Sequence, residues 1–182
     1  GGAGDVTWTL TELSKRKEFK SANGPSLVYA SIPGPELVQK AFELGVGKEI
    51  SGEVGAKVDF RYAPPFPLKG KIIALGEQNP KNREAVIQMG SMKVIVTEKR
   101  RGYHEAKSLE ALGIKPAETD IIVVKLGYLT KGLYDVRGDW MMALTRGGVD
   151  QDLLKLTYNR IDRPMFPFDA DMPDPEFKVV DL

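Results

Sequence analysis

IIVVKLGYLTKG, residues 121–132, sets the fold class and poses the functional question in one stretch. Four β-branched apolar residues in succession mark a strand buried on both faces, as in a sheet covered by helices. The run then delivers Lys125 and Gly127. Two readings fit an ammonium group at that place. Either the strand has reached solvent and the lysine snorkels, or the lysine stands at the carboxyl end of a buried strand, where α/β sheets bind ligands.

Upstream, SLVYASI (26–32) is a second short, buried strand, followed by PGPELVQKAFELGVG. Pro35 suits a first helical turn, Gly45 suits a stop, and Leu37, Val38, Ala41, Phe42 and Leu44 form an apolar stripe. Strand, turn and helix make the first half of a βαβ unit. Before it, Val6, Leu10 and Leu13 share a helical face, with Asp5 or Thr7 as the cap. The middle differs. KEISGEVGAKVDF and LKGKIIALGE read as strands, and EAVIQMGSMKVIVTEKR reads as a hairpin turning at Gly90 and Ser91. SLEALGIKP (108–116) is a short helix stopped by Gly113 and Pro116, YLTKGLYDVR is helix or loop, and WMMALT (140–145) is a last strand. The prolines of IDRPMFPFDADMPDPEF forbid a regular helix, so the tail lies extended on the surface. The fold class is α/β: a single mixed domain with a βα start, a largely antiparallel middle and a proline-rich carboxyl-terminal tail.

The chain has 182 residues, enough for one sizeable core. Lys plus Arg number 26 against 25 Asp plus Glu, so no charge excess points to nucleic acid or an anionic membrane. No apolar run approaches the length of a membrane span. Cysteine is absent, which excludes disulfides, thiolate catalysis and cysteine-ligated metal, and fits a cytoplasmic protein. His104 is the only histidine, too few for the usual zinc donor set, and its setting RRGYHEAKS reads as a surface helix start. Asp135, Asp139, Asp150 and Asp152 match no calcium-loop spacing. Trp8 and Trp140 read as core or interface residues rather than stacking platforms.

Two stretches suit an anion. GGAGDVT before a helix has small residues that let backbone N–H groups approach a ligand, but it is not a GxGxxG pattern after a strand, and a flexible terminus entering a capped helix is the plainer reading. VTEKRRGYHE places Thr97, Arg100 and Arg101 at a strand end, where arginine can clamp a carboxylate; a solvated hairpin exit is the competing reading. The residues alone supply no catalytic set.

In order, the GG-x-GD near the start, TEKR after the hairpin, LGI before a strand, IIVVKLGYL, ALTRGG and RIDRPMFPFD resemble the carboxyl-terminal region of the MlrC family, the M81 metallopeptidases of the microcystin-degradation type. The resemblance runs from Gly1 to about Asp169. It implies residues 1–182 as one MlrC carboxyl-terminal-like domain excised from a longer protein, with 170–182 as an extended tail. It also implies an amino-terminal domain carrying the zinc, and a hydrolase of peptides or other amides. By that reading this chain holds no metal ligand and no catalytic residue, needs no cofactor of its own, and is inactive alone. What carries over is substrate contact. Lys125 and Tyr128 match a K-x-G-Y-like segment, Thr97 and Arg100 a T-x-x-R-like segment, and Gly2, Gly4 and Asp5 the glycine-rich turn. The alternative is a stand-alone module that binds a small anion or a partner without catalysis.

Overall fold

The computed structural model describes residues 4–76, 81–146, 150–174 and 176–177. Six strands form one sheet: β1 (Leu27–Pro33), β2 (Glu49–Val54), β3 (Phe66–Gly76), β4 (Glu84–Met89), β5 (Met92–Thr97) and β6 (Ile121–Val124). Their order is β2-β3-β4-β5-β1-β6. β5, β1 and β6 run parallel, whereas β2, β3, β4 and β5 are joined antiparallel. The sheet is therefore half parallel and half meander, the mixed α/β arrangement expected from the sequence.

Side-chain alternation along the parallel strands sorts the core into two layers. Leu27 and Tyr29 of β1 join Met92, Val94 and Val96 of β5 on one face, against Leu37, Val38 and Ala41 of helix α2 (Pro35–Leu44) and Leu10 of helix α1 (Trp8–Lys15). Val28 and Ala30 join Val86 and Ile95 on the other, with Leu109 of helix α3 (Ala106–Glu110). A strand with both faces covered has no polar side to show, which is why β1 is apolar at nearly every position. Its register with β6 is fixed at the amino end. There Asp120 Oδ2 accepts from Ser26 N and Ser26 Oγ, both at 2.8 Å, and Ser26 Oγ accepts from Asp120 N at 2.9 Å.

The β4–β5 hairpin turns at Gly90, as expected. Its φ is +60°, and a Cβ there would lie 2.1 Å from the Phe19 carbonyl oxygen, so both conformation and space demand glycine. A feature not foreseen is the curl of the meander. Three strands separate β2 from β1 in the sheet, yet the long β3 carries β2 round until Gly55 N donates to Pro33 O at 2.8 Å. The end of β2 thus arrives at the carboxyl end of β1.

Three local expectations need correction. The helix expected over 108–116 is α3 at 106–110, followed by a turn through Gly113 at φ +71° and a 3-10 turn from Pro116. Neither Asp5 nor Thr7 caps α1 with its side chain: Thr7 Oγ1 donates to Pro64 O at 2.7 Å, and Asp5 serves the 58–59 backbone. Residues 140–145 are not a strand. Trp140, Met141, Met142 and Leu144 are exposed, and no described strand pairs with them. β structure needs a partner ladder, and the apolar pattern alone did not provide one. Trp8 and Trp140 accordingly lie outside the core. Helix α4 (Lys131–Tyr134) falls inside the stretch read as helix or loop. Among the described residues the tail after residue 160 has no regular helix, and no helix is long and apolar enough to cross a membrane.

Candidate functional site

β1 and β5 are neighbours, but the chain leaves them on opposite faces, through α2 from β1 and through α3 from β5. In open α/β sheets ligands are taken at such a reversal, in the crevice beyond the carboxyl ends of the two strands. Gly34 N closes the floor by donating to Thr97 O at 2.9 Å. The segment Gly4–Thr7 is laid along this edge, held by a bond from Ala56 N to Asp5 O at 2.7 Å.

Lys125 reaches the same edge from β6. Its backbone N continues the ladder by donating to Ala30 O at 3.3 Å, and its Nζ donates to Gly4 O and, at 3.4 Å, to Val6 O. The lysine therefore does not snorkel. It turns inward and fastens the glycine-rich segment to the parallel strands. Burial lowers its pKa from 10.5 to about 8; the Asp5 carboxylate opposes that shift and the Arg100 guanidinium adds to it. Asp5 is itself buried, with Oδ2 accepting from Val58 N at 2.6 Å and Asp59 N at 3.4 Å, while Oδ1 has no partner. Gly4 sits at φ +73°, and a Cβ there would lie 2.7 Å from Arg100 Nε. Glycine lets the arginine lie flat across the segment.

Of the residues singled out in the sequence, Gly4, Asp5, Arg100 and Lys125 thus converge. Thr97 ends β5 at the crevice floor, fully buried with Oγ1 unpartnered. Tyr128 is 75% exposed, three residues beyond Lys125, and is not drawn into this cluster by any bond of the cluster residues. Gly2 lies outside the described residues.

Arg100 is presented by a loop whose anchors the sequence reading missed. Arg83 pairs with Glu98 through Nε at 2.9 Å and Nη2 at 2.6 Å, and Lys99 N donates to Asn82 Oδ1 at 2.7 Å. Ser31 Oγ donates to Arg101 O at 3.0 Å, tying the loop to β1. Beneath it Glu84, 3% exposed, accepts from Arg101 Nη1 at 2.5 Å and from the Tyr103 hydroxyl. Burial, then the bond to Glu84, pushes the Tyr103 phenol well above its ordinary range, so it remains a donor. One signal existed: Glu84 is the only charge in EAVIQM, and an acid opening an apolar strand needs a partner.

Arg100 presents an exposed guanidinium at this edge, a group that pairs with carboxylates, while the Lys125 ammonium is held by the Gly4 and Val6 carbonyls. It does not fit a metal. Among the described residues no group of three His, Cys, Asp or Glu side chains could hold one, and His104 is exposed on the loop before α3.

The family model for the MlrC C-terminus matches residues 1–160. The chain belongs to the MlrC C-terminus family. A curated relative, "Microcystinase C" of Sphingomonas sp., is 30% identical over 178 residues, covering 93% of this chain and 33% of that protein. This MlrC-type chain thus spans about a third of the length of the curated relative it matches. A solved structure from Mesorhizobium sp. BNC1, described as a "Putative metallopeptidase", is similar in fold, with a TM-score of 0.58 at 18% identity. It aligns with 74% of this chain and 28% of that one.

Proposed function

We propose that this chain is the carboxyl-terminal, non-catalytic domain of a longer cytoplasmic hydrolase of the zinc metallopeptidase type, acting on a peptide or another amide. Its part is to form one wall of the substrate cleft beside an amino-terminal metal-binding domain. The observation that carries this reading is the convergence of Gly4, Arg100 and Lys125 at the carboxyl ends of β1, β5 and β6. Lys125 sets the glycine-rich segment in place, and Arg100, whose side chain is free of any structural pair described above, meets a carboxylate or carbonyl of the substrate. Water activation belongs to the zinc of the other domain.

In the full-length protein, Arg100→Ala lowers kcat/KM about tenfold or more, the scale of one lost charge-assisted contact. Its melting temperature stays unchanged, because the arginine is exposed. An unaltered kcat/KM with amide substrates removes Arg100 from the cleft and favours the stand-alone module. Metal content provides a second check. After dialysis with added zinc, the 182-residue chain retains far less than one equivalent; a tight equivalent would make it a self-contained metalloenzyme and overturn the reading.

A further inference from the structure

The exposed apolar side chains of this chain are concentrated in its last third, and one group of them has a defined setting. α1 and the segment around residue 143 enclose an open groove lined by Trp8, Leu13, Ala143 and Thr145, with Glu12, Lys15 and Arg16 on its walls. Beside it in sequence stand Trp140, Met141, Met142 and Leu144, and Met141 is 90% exposed. Isolated surface apolar residues are ordinary, but a run of four beside a groove that already holds a tryptophan is not. Tryptophan and methionine at the centre with charged residues at the margin is the composition of a protein–protein interface.

We infer that the face formed by Trp8 of α1 and residues 140–144 is the surface on which the amino-terminal part of the full-length protein docks. Two observations and one general argument select that occupant. The larger part of the Microcystinase C relative lies outside the match, and the matched family is a C-terminus, so the unmatched length is mainly upstream. The segment Gly4–Thr7 leads straight into α1, so the covalent link to upstream polypeptide runs directly into the helix that carries Trp8. A tethered domain also meets this face at a far higher effective concentration than a free second copy would. The same segment carries the Lys125 and Arg100 contacts, so a domain seated here also borders the crevice. Residues 140–145 then lack a sheet partner because their partner is on the other domain.

The inference rests on the reading that this chain is one domain of a longer protein, and its test reads stability rather than turnover. Met141→Asp and Trp140→Ser are each made in the full-length protein and in the 182-residue chain. In the full-length protein each lowers the melting temperature by about 3 °C or more and speeds amide exchange over residues 138–146 about tenfold. In the 182-residue chain each leaves melting unchanged, since the side chains already meet water. Full-length protein that melts and exchanges as before with both substitutions overturns the inference. So does a dimer of the 182-residue chain that Met141→Asp dissociates, which would assign the face to a second copy. Either failure leaves the Arg100 kinetics, and the cleft they test, standing.

Discussion

Arg101→Ala destabilises the chain by about 3–5 kcal/mol, the usual consequence of leaving a buried carboxylate without its cation. Glu84 is 3% exposed and is met at Oε1 by Arg101 and at Oε2 by the Tyr103 hydroxyl. With the guanidinium gone, a charge in the interior keeps one neutral donor. Total stabilities of such domains run about 5–15 kcal/mol, so the loss is a large share. Glu84→Gln in the Arg101→Ala background restores about 2 kcal/mol or more, because no ion then remains to be compensated. Urea unfolding of the wild type, both single variants and the double variant measures this coupling. A loss under about 1 kcal/mol for Arg101→Ala, or no rescue by the second change, would show that the pair is not a structural unit. The functional consequence follows from position. Arg101 is the residue after Arg100, so a loosened pair also loosens the arginine proposed to meet the substrate.

This network was illegible in the sequence for a physical reason. Glu84 and Tyr103 are 19 residues apart, and only the register of the β4–β5 hairpin, with Glu84 opposite Thr97, brings them to one edge. The hairpin could be read from Gly90 and the flanking apolar runs, but its consequences for side chains at the open end could not. Strand β1 was legible because burial on both faces leaves a nearly continuous apolar run; β6 was found from its four branched residues, but it is the edge strand rather than a buried one, with Ile121 exposed and Ile122 to Val124 half-buried. Residues 140–145 misled for the converse reason: an apolar run records that something covers it, without saying whether the cover is a sheet or another domain. Lys125 at a strand end, Gly4 and Asp5 before a helix, and Arg100 after a hairpin were each visible as separate signals. Their convergence depends on the reversal between β1 and β5 and on the curl that brings β2 to Pro33, and neither is written in a local pattern.

Between pH 8 and pH 10 the chain gains stability relative to a Lys125→Met variant, by about 2 kcal/mol. The sign follows from proton counting. In the fold, burial brings the Lys125 pKa down to about 8, against 10.5 for an exposed lysine. Below pH 8 both states carry the proton, and the fold bears the cost of a charge held against the carbonyls of Gly4 and Val6 with little water. Above pH 8 the folded lysine releases its proton while the unfolded one keeps it, so the unfolded state binds more protons and stability rises with pH. Relative to the variant the gain levels off near pH 10.5, where the unfolded lysine also releases its proton. The buried hydroxyls of Tyr29 and Tyr103, both pushed above the ordinary phenol range by burial, lower the stability of the two chains alike as their unfolded forms ionise, so they cancel in the comparison. Urea midpoints at pH 7.5, 9 and 10 distinguish the outcomes. A wild-type curve parallel to that of Lys125→Met across this window would mean that the ammonium is solvated, and that the glycine-rich segment is not fastened by it. A rise confined to the wild type would show that the lysine at the end of β6 faces inward, against the carbonyls of Gly4 and Val6.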